Sequence, residues 1–167
     1  MQGIPSPSCL PEFPKSRCLR CTASDVLRWA GLPELASTQT DAITFALRRV
    51  HAEQTLLHEG QAFENLYLVS GGSFKDVQID IEGYEQVLGF AIHGDVLGLD
   101  GLGRDRHASG AVALEDSTVV VMPFAELLAH SHCCAALERL LHKATGTELL
   151  RRADTQYLMS APSSEVR

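Results

Sequence analysis

Short apolar segments separated by glycine-containing turns run through residues 56–124, and this pattern constrains the fold more than any other feature of the chain. Glycine adopts a positive φ without steric cost, so each such position favours a turn. Strands that alternate with turns every 8–12 residues or so are typical of a β-sandwich or a barrel. The turn signals are Glu59-Gly60, Gly71-Gly72, Glu82-Gly83, Gly94-Asp95 and Gly101-Leu102-Gly103.

The clearest single strand is predicted for residues 75–81, where polar and apolar residues alternate. A period of two places alternate side chains on opposite faces of a sheet. We expect Val77, Ile79 and Ile81 to face the core. The residues that alternate with them, Asp76, Gln78 and Asp80, are expected to face water.

Helical patterns flank this β region. From Ser37 the chain offers N-cap residues, and then Ile43, Ala46 and Leu47 at helical spacing, so a short helix is predicted over residues 37–49. A second short helix is predicted over residues 124–130, after Pro123. The longest helical pattern covers residues 134–159, with apolar residues on more than one face. One face can cover the sheet, and the other is then left for a second copy of the chain.

The composition favours one globular domain without a nucleic-acid surface of its own. The 167 residues are 45% hydrophobic and 21% charged, with a formal net charge of -7. Phosphate contacts need clustered Lys and Arg, and here the basic clusters are small and are expected to be solvated. They are Arg48-Arg49, Arg104 with Arg106, and Arg151-Arg152. No apolar run reaches the length of a membrane span and no secretory signal is visible, so a cytoplasmic protein is expected.

Residues 1–17 are rich in proline and are expected to form a flexible arm. The arm contains Cys9 and leads into Cys18 and Cys21, which have the C-x₂-C spacing of metal ligands and of redox pairs. A mononuclear zinc or an iron–sulfur cluster normally takes four protein ligands, and these cysteines supply three. An iron–sulfur or metal site, a redox-active pair and ordinary thiols therefore all remain open.

An enzyme of the cupin type would use the same kind of barrel with a metal held by histidines on a strand. The one His-x-His sequence, His130 to His132, falls in a predicted helical region, and the other histidines are scattered. No catalytic arrangement of Ser, His and Asp and no phosphate-binding glycine loop is visible. We therefore expect no catalysis.

The order and spacing of several short sequences resemble the sensory domain of the CRP/FNR transcription regulators, and most closely the oxygen-responsive FNR branch. These sequences are LYLVSGGSFK at 66–75, GYEQVLGF at 83–90, GDVLGLD at 94–100, ALEDS at 113–117 and MPF at 122–124. The resemblance implies a double-stranded β-helix, or jelly roll, followed by a long dimerisation helix. It divides the chain into the arm at 1–17, the jelly-roll domain with an N-terminal helix at 18–132, the dimerisation helix at 133–160, and at 161–167 the start of a linker to a helix-turn-helix domain that the chain lacks.

The resemblance also indicates which ligands to expect. The FNR branch holds an iron–sulfur cluster on four cysteines, and Cys18 and Cys21 match the first two. The third and fourth positions fall on Leu27 and Val120, which cannot bind iron, so the resemblance supports the fold better than the cofactor. In the CRP branch a Glu and an Arg-Ser pair bind cyclic AMP; Leu99 and His107-Ala108 stand at those positions. Cyclic AMP is therefore not expected to bind in the family's manner.

Two further surfaces follow from the resemblance. Partner-facing positions of the dimerisation helix fall on His142, Thr145, Leu149, Arg152 and Gln156, or, in a shifted register, on Leu137, Leu141 and Leu150. Loops through which the family touches RNA polymerase correspond to Ser70, Gly71, Gly83 and Tyr84. The expected function is that of a sensory and dimerisation domain, with DNA and RNA polymerase as partners of the full-length regulator. The alternative is a stand-alone redox or iron–sulfur sensor.

Overall fold

Two antiparallel β-sheets make up most of the structure, a computed structural model that describes residues 19–160 and their side chains as far as Tyr157. The five-stranded sheet has the order β1-β2-β9-β4-β7 and the four-stranded sheet has the order β3-β8-β5-β6. The strands are β1 Arg20–Thr22, β2 Thr44–Val50, β3 Thr55–Leu57, β4 Asn65–Gly71, β5 Phe74–Ile79, β6 Glu85–Ala91, β7 Val96–Leu97, β8 Gly110–Ala113 and β9 Ser117–Pro123.

Four α-helices flank the sheets: α1 Ala23–Trp29, α2 Thr38–Asp41, α3 Phe124–Ser131 and α4 Ala135–Ser160. Short 3₁₀ turns lie at Pro33–Leu35 and Leu99–Gly103. Helices α3 and α4 confirm the two predicted C-terminal helices. The mainly β fold with a long final helix is likewise confirmed.

The hydrophobic core has two parts, one on each side of the five-stranded sheet. Residues of both sheets, including Phe74 of β5 and Val119 of β9, enclose the first part. The second part lies between the five-stranded sheet and the helices, and it includes Leu27 of α1 and Leu140 of α4. Burying one face of α4 in this way fixes the start of that helix to the domain.

The helix predicted over residues 37–49 is wrong beyond its first turn. Ser37 does cap α2, with its side chain accepting from the backbone N–H of Thr40, but α2 ends at Asp41. The chain then continues as β2, which pairs with β1 on one side and β9 on the other. Phe45 and Val50 of β2 are buried. Strand pairing on both edges outweighs the helical spacing of Ile43, Ala46 and Leu47 because local propensity is a weak determinant.

The N-terminal helix of the domain is instead α1, which begins after Thr22. The Thr22 side chain accepts from the backbone N–H of Asp25, and the Asp25 carboxylate accepts from the backbone N–H of Thr22. This reciprocal capping box satisfies two N–H groups at the helix start. The Thr-x-x-Asp spacing in the sequence carries this signal.

The predicted faces of the strand at 75–81 are partly wrong. Val77 is buried, and Gln78 and Asp80 are exposed, as expected. Asp76, which was expected to face water, is buried, and Ile79 and Ile81, which were expected in the core, are exposed. Alternation continues along β5, with Phe74 and Asp76 on one buried face, because the β-bulge opposite Asp76 and Val77 has its extra residue, Leu88, in β6.

Candidate functional site

A buried carboxylate, Asp100, organises the interior of the jelly roll. It lies in the 3₁₀ turn after β7, and its Oδ2 accepts hydrogen bonds from the backbone N–H groups of Ala108 (2.7 Å) and Ser109 (2.9 Å). The Ser109 hydroxyl donates to the same oxygen over 3.2 Å, and the His107 Nδ1 lies 3.1 Å from Oδ1. The Asp100 and His107 side chains are almost completely buried.

The hydrogen bonds decide the charge state of Asp100. Burial acts to raise the pKa of this carboxyl, but the donors on His107, Ser109 and Ala108 outweigh burial and hold the pKa below its ordinary value. The carboxylate is therefore ionised at neutral pH and satisfied by internal donors. Asp100 was not among the functional residues predicted from the sequence.

Asp100 uses the donors that stand where the family's phosphate-binding pair would be. The resemblance places that pair at His107-Ala108, and the Ala108 N–H already donates to Asp100. The cavity beside these groups measures only about 10 Å³, which is room for roughly one water molecule. An anionic ligand here would be repelled by the Asp100 carboxylate. The N–H donors it would need already bind Asp100, and the cavity is too small to hold it.

A second cluster ties α4 to the four-stranded sheet. The Arg151 Nη2 lies 2.6 Å from Asp76 Oδ2 and 2.6 Å from Glu148 Oε2, and its Nη1 donates to the Phe90 carbonyl oxygen over 2.8 Å. One turn later the Thr155 hydroxyl donates to the Leu88 carbonyl over 3.3 Å. Arg151, expected at a solvated surface, is thus largely buried, and it lines the same small cavity as Asp100.

Asp76 is the carboxylate of this cluster whose charged form is disfavoured by burial. Burial raises its pKa even though the Arg151 guanidinium beside it acts in the opposite direction. A buried carboxylate that depends on one cation is costly to leave unpaired. The position of α4 and the ionisation of Asp76 are therefore coupled.

The cysteines do not assemble a cluster site within the part of the chain that the structure describes. Cys9 and Cys18 lie outside that part. Cys21 is in β1, where burial, reinforced by the Asp25 carboxylate, raises the pKa of its thiol to about 11. Leu27 and Val120, at the family's other two ligand positions, are fully buried in the same apolar core as Cys21.

That environment does not fit an iron–sulfur cluster, whose ligands are thiolates. Among residues 19–157 no three His, Cys, Asp or Glu side chains are grouped so that they could hold a metal ion. His130 lies in α3 and His132 is its C-terminal cap, so the His-x-His sequence is not on a strand. Cys133 is exposed and Cys134 is buried.

The outward face of α4 carries the residues that the resemblance assigns to a dimer. All five of them are exposed, on the side of the helix opposite the residues that pack on the domain. Leu149 is 66% exposed and its neighbour Leu150 is 69% exposed. The five are His142, Thr145, Leu149, Arg152 and Gln156. Arg152 pairs with Glu148 over 2.6 Å, so its charge is compensated within its own helix.

The three leucines of the shifted register, Leu137, Leu141 and Leu150, do not lie together on one exposed face of α4. Leu137 is fully buried in the domain's own core and Leu141 is half-buried against it. A side chain with no exposed surface has nothing to offer a second subunit. We therefore leave Leu137 and Leu141 out of the proposed partner-facing set.

The two loops that the resemblance assigns to RNA polymerase contact lie on different sheets. Ser70 and Gly71 end β4, where the Ser70 hydroxyl donates to the Thr118 carbonyl over 3.0 Å. Gly83 has a φ of 88° in the turn between β5 and β6, and the Tyr84 that follows is exposed.

Of the helices in residues 19–160, none has the length and apolar character needed to cross a bilayer.

Comparisons with known proteins agree with this fold. The family model described as "Cyclic nucleotide-binding domain" matches residues 47–130. The Fumarate and nitrate reduction regulatory proteins of Escherichia coli and Salmonella typhimurium are each 31% identical over 150 residues, which cover 90% of this chain and 60% of theirs. The chain thus spans 60% of the length of these curated relatives.

Solved structures show the same architecture. FixK2 from Bradyrhizobium japonicum superimposes with a TM-score of 0.62 at 23% identity, over 69% of this chain and 57% of that chain. A cyclic nucleotide-binding domain from Methylobacillus flagellatus gives a TM-score of 0.67 at 13% identity, over 89% and 90% of the two chains. These findings confirm the predicted fold and the predicted resemblance to the CRP/FNR regulators.

Proposed function

This chain belongs to the cyclic nucleotide-binding domain family, and from that premise we propose that it is the sensory and dimerisation domain of a CRP/FNR-type transcription regulator. The observation that carries the proposal is the two-sided use of α4. One side is held to the domain by Leu137, Leu140 and Arg151. The opposite side, around Leu149, is exposed along several turns.

The mechanism is a shift between two positions of α4. Arg151 joins the helix to Asp76 and to the Phe90 carbonyl, so a signal that changes the sheet beneath them changes the energy of the clamped position. The helix then presents a different face to a second subunit and to the DNA-binding region that follows in the family. A ligand produces such a shift only through unequal affinity for the two states.

The signal that this domain receives is not a cyclic nucleotide bound in the family's manner. The Asp100 carboxylate uses the internal donors, and Leu99 replaces the residue that would hold a ribose. Arg151 and Arg152 line the small cavity beside Asp100 but are already paired with Asp76 and Glu148. Removing a nucleotide phosphate from water without an unpaired cation to receive it would cost several kcal/mol. We propose that the chain acts without that nucleotide, without catalysis and in the cytoplasm, as expected of a CRP/FNR-type regulator.

A chimaera tests the proposal. The chain through α4 is joined to the helix-turn-helix domain of a CRP/FNR regulator, and operator binding is measured by fluorescence anisotropy. We expect the chimaera to bind, and Leu149→Glu to weaken binding at least tenfold or so, because operator half-sites need a dimer. Leu114→Glu, at another exposed leucine, is the matched control. Equal binding by the Leu149→Glu variant and the unaltered chimaera would refute the proposal.

The RNA polymerase surface is a separate part of the proposal. Tyr84 is exposed at the tip of the β5–β6 hairpin, on the same turn as Gly83. We expect Tyr84→Ala to lower transcription activated by the chimaera while leaving operator binding unchanged. A loss of both activities would show that the residue acts on folding and not on the polymerase.

A further inference from the structure

A cavity of about 240 Å³ lies beside α4, at a different place from the small cavity next to Asp100. Its walls are the end of α1 at Trp29, the turn between β6 and β7 at Asp95, and one face of α4 from Leu140 to Arg151. This volume is below the roughly 300–1,000 Å³ of pockets that hold drug-sized ligands, so it suits a molecule the size of a single amino acid.

Two cations line this cavity. Arg151 pairs with Asp76 and Glu148, so Lys143 is the one that is not already paired with a carboxylate. Its ammonium donates to the carbonyl oxygens of Ala30 (2.6 Å) and Gly31 (3.2 Å), which leaves one of its three N–H donors available. Within the described residues no carboxylate lies at ion-pair distance from it. Thr147 is one helical turn further along the same face of α4, and its hydroxyl makes no hydrogen bond within the described residues. Together they offer donors to a carboxylate.

The opposite wall carries a free acceptor. The Asp95 Oδ2 accepts from the backbone N–H of Ile92 over 2.9 Å, which holds the side chain in place. Its Oδ1 has no partner among the residues that the structure describes. The other acid at the cavity, Glu148, is already paired with Arg151 and Arg152. The uncompensated charges are therefore one positive and one negative, on different walls.

The remaining lining is apolar. Trp29, Leu140 and Ala144 are among its members, and Leu140 belongs to the buried core. We propose that this cavity binds a small zwitterion, an α-amino acid with an apolar side chain. Its carboxylate contacts Lys143 and Thr147, its ammonium contacts Asp95, and its side chain packs on Trp29 and Ala144, which are both partly exposed. This binding does not depend on the role of the chain in transcription.

A ligand in this position touches both α4 and the wall to which α4 is held. It binds the clamped arrangement in preference to any arrangement in which α4 has moved away, because only the former brings Lys143 and Asp95 to one molecule. Linkage then requires that the ligand stabilise the clamped state. The binding itself is independent of the proposed function, but this step rests on that function: where α4 is the dimerisation helix, the amino acid is a signal that favours one position of that helix.

Isothermal titration calorimetry with the 167-residue chain tests the site. The probe is L-phenylalanine, compared with 3-phenylpropionate, which lacks the ammonium group, and 2-phenylethylamine, which lacks the carboxylate. We expect saturable binding of L-phenylalanine at millimolar or lower concentration, and binding at least roughly tenfold weaker for each analogue, since each loses one charged hydrogen bond. L-Leucine serves as a second probe.

Two variants locate the binding. Lys143→Gln and Asp95→Asn each remove one charge, and Asp95→Asn retains an oxygen for the Ile92 N–H. Each is expected to weaken L-phenylalanine binding about tenfold or more. Arg139→Gln, at an exposed cation of α4 outside the cavity, is the matched control and should leave it unchanged. The absence of saturable binding by either amino acid, equal binding of an analogue, or equal effects of all three variants would overturn the proposal.

Discussion

Arg151 of α4 and Asp76 of β5 form an ion pair, with Nη2 and Oδ2 2.6 Å apart, that joins the long C-terminal helix to the four-stranded sheet. The residues are separated by 75 positions in the sequence. Asp76 is buried on the same face of β5 as Phe74, and Arg151 reaches it from a helix whose opposite side is exposed. The pair therefore links the interior of the sensory domain to the surface that a second subunit would use.

Removing Arg151 should destabilise the fold strongly. In Arg151→Met the apolar stem is kept, but Asp76 is left without its cation. We expect the free energy of unfolding to fall by about 2–4 kcal/mol, because a buried charge that loses its partner keeps its desolvation cost. Urea denaturation followed by circular dichroism measures the change.

The neighbouring arginine supplies the control for this variant. Arg152 pairs with Glu148 at a more exposed position, so Arg152→Gln should cost less than about 1 kcal/mol. Similar losses in both variants would show that the Arg151 cluster is an ordinary surface pair.

Asp100 should make stability depend on pH in the acidic range. Its pKa in the folded chain is below the unfolded value of about 3.9, so its stabilisation is present above that value and is lost as the pH falls through the folded pKa. Asp100→Asn places an amide N–H₂ group among donors and should cost about 2 kcal/mol at pH 7. The gap between the parent chain and Asp100→Asn should narrow below about pH 4.

Urea midpoints measured from pH 3 to pH 7 give the difference curve. Asp154→Asn, at an exposed position of α4, controls for the loss of a carboxyl group and should show a flat curve. A pH-independent gap for Asp100→Asn would mean that Asp100 is not ionised in the folded chain.

Alanine substitutions at two glycines with positive φ should distinguish the cost of backbone strain from the cost of steric crowding. Gly94 has a φ of 91°, and a Cβ atom there would lie 2.6 Å from the carbonyl oxygen of Trp29. Gly60 has a φ of 79° and open space around it. Gly60→Ala should cost about 1–2 kcal/mol through the backbone alone. Gly94→Ala should cost at least about 1 kcal/mol more, since the turn must move away from α1. Equal melting temperatures for the two variants would contradict the packing of this turn on α1.

The thiols should differ sharply in reactivity. In a chain carrying Cys9→Ser and Cys18→Ser, the exposed Cys133 should react rapidly with Ellman's reagent at pH 8. Cys21 should remain unreacted until the chain unfolds, because its pKa of about 11, against an ordinary 9.0, lowers the thiolate fraction roughly a hundredfold. Cys133→Ser should abolish the rapid phase. Rapid reaction of Cys21 would instead support the redox-sensor alternative.

The sequence predicted the elements better than it predicted the contacts between them. The glycine turns and the helical spacing after Pro123 are local signals, and they predicted the β region, α3 and α4. Alternation along β5 does not reveal which of its two faces meets the core, so Ile79 was placed on the wrong face. Arg151 and Asp100 were missed as site residues because their partners lie elsewhere in the chain or on backbone amides.

Sedimentation equilibrium of the 167-residue chain tests most directly whether the outward face of α4 joins two copies. We predict a dimer at micromolar concentration, and a monomer for Leu149→Glu, which places two buried and unpaired carboxylates at the interface. Leu114→Glu should remain a dimer. A monomeric parent chain throughout the micromolar range, or a dimer that persists in Leu149→Glu, would contradict the assignment of α4 as the dimerisation helix.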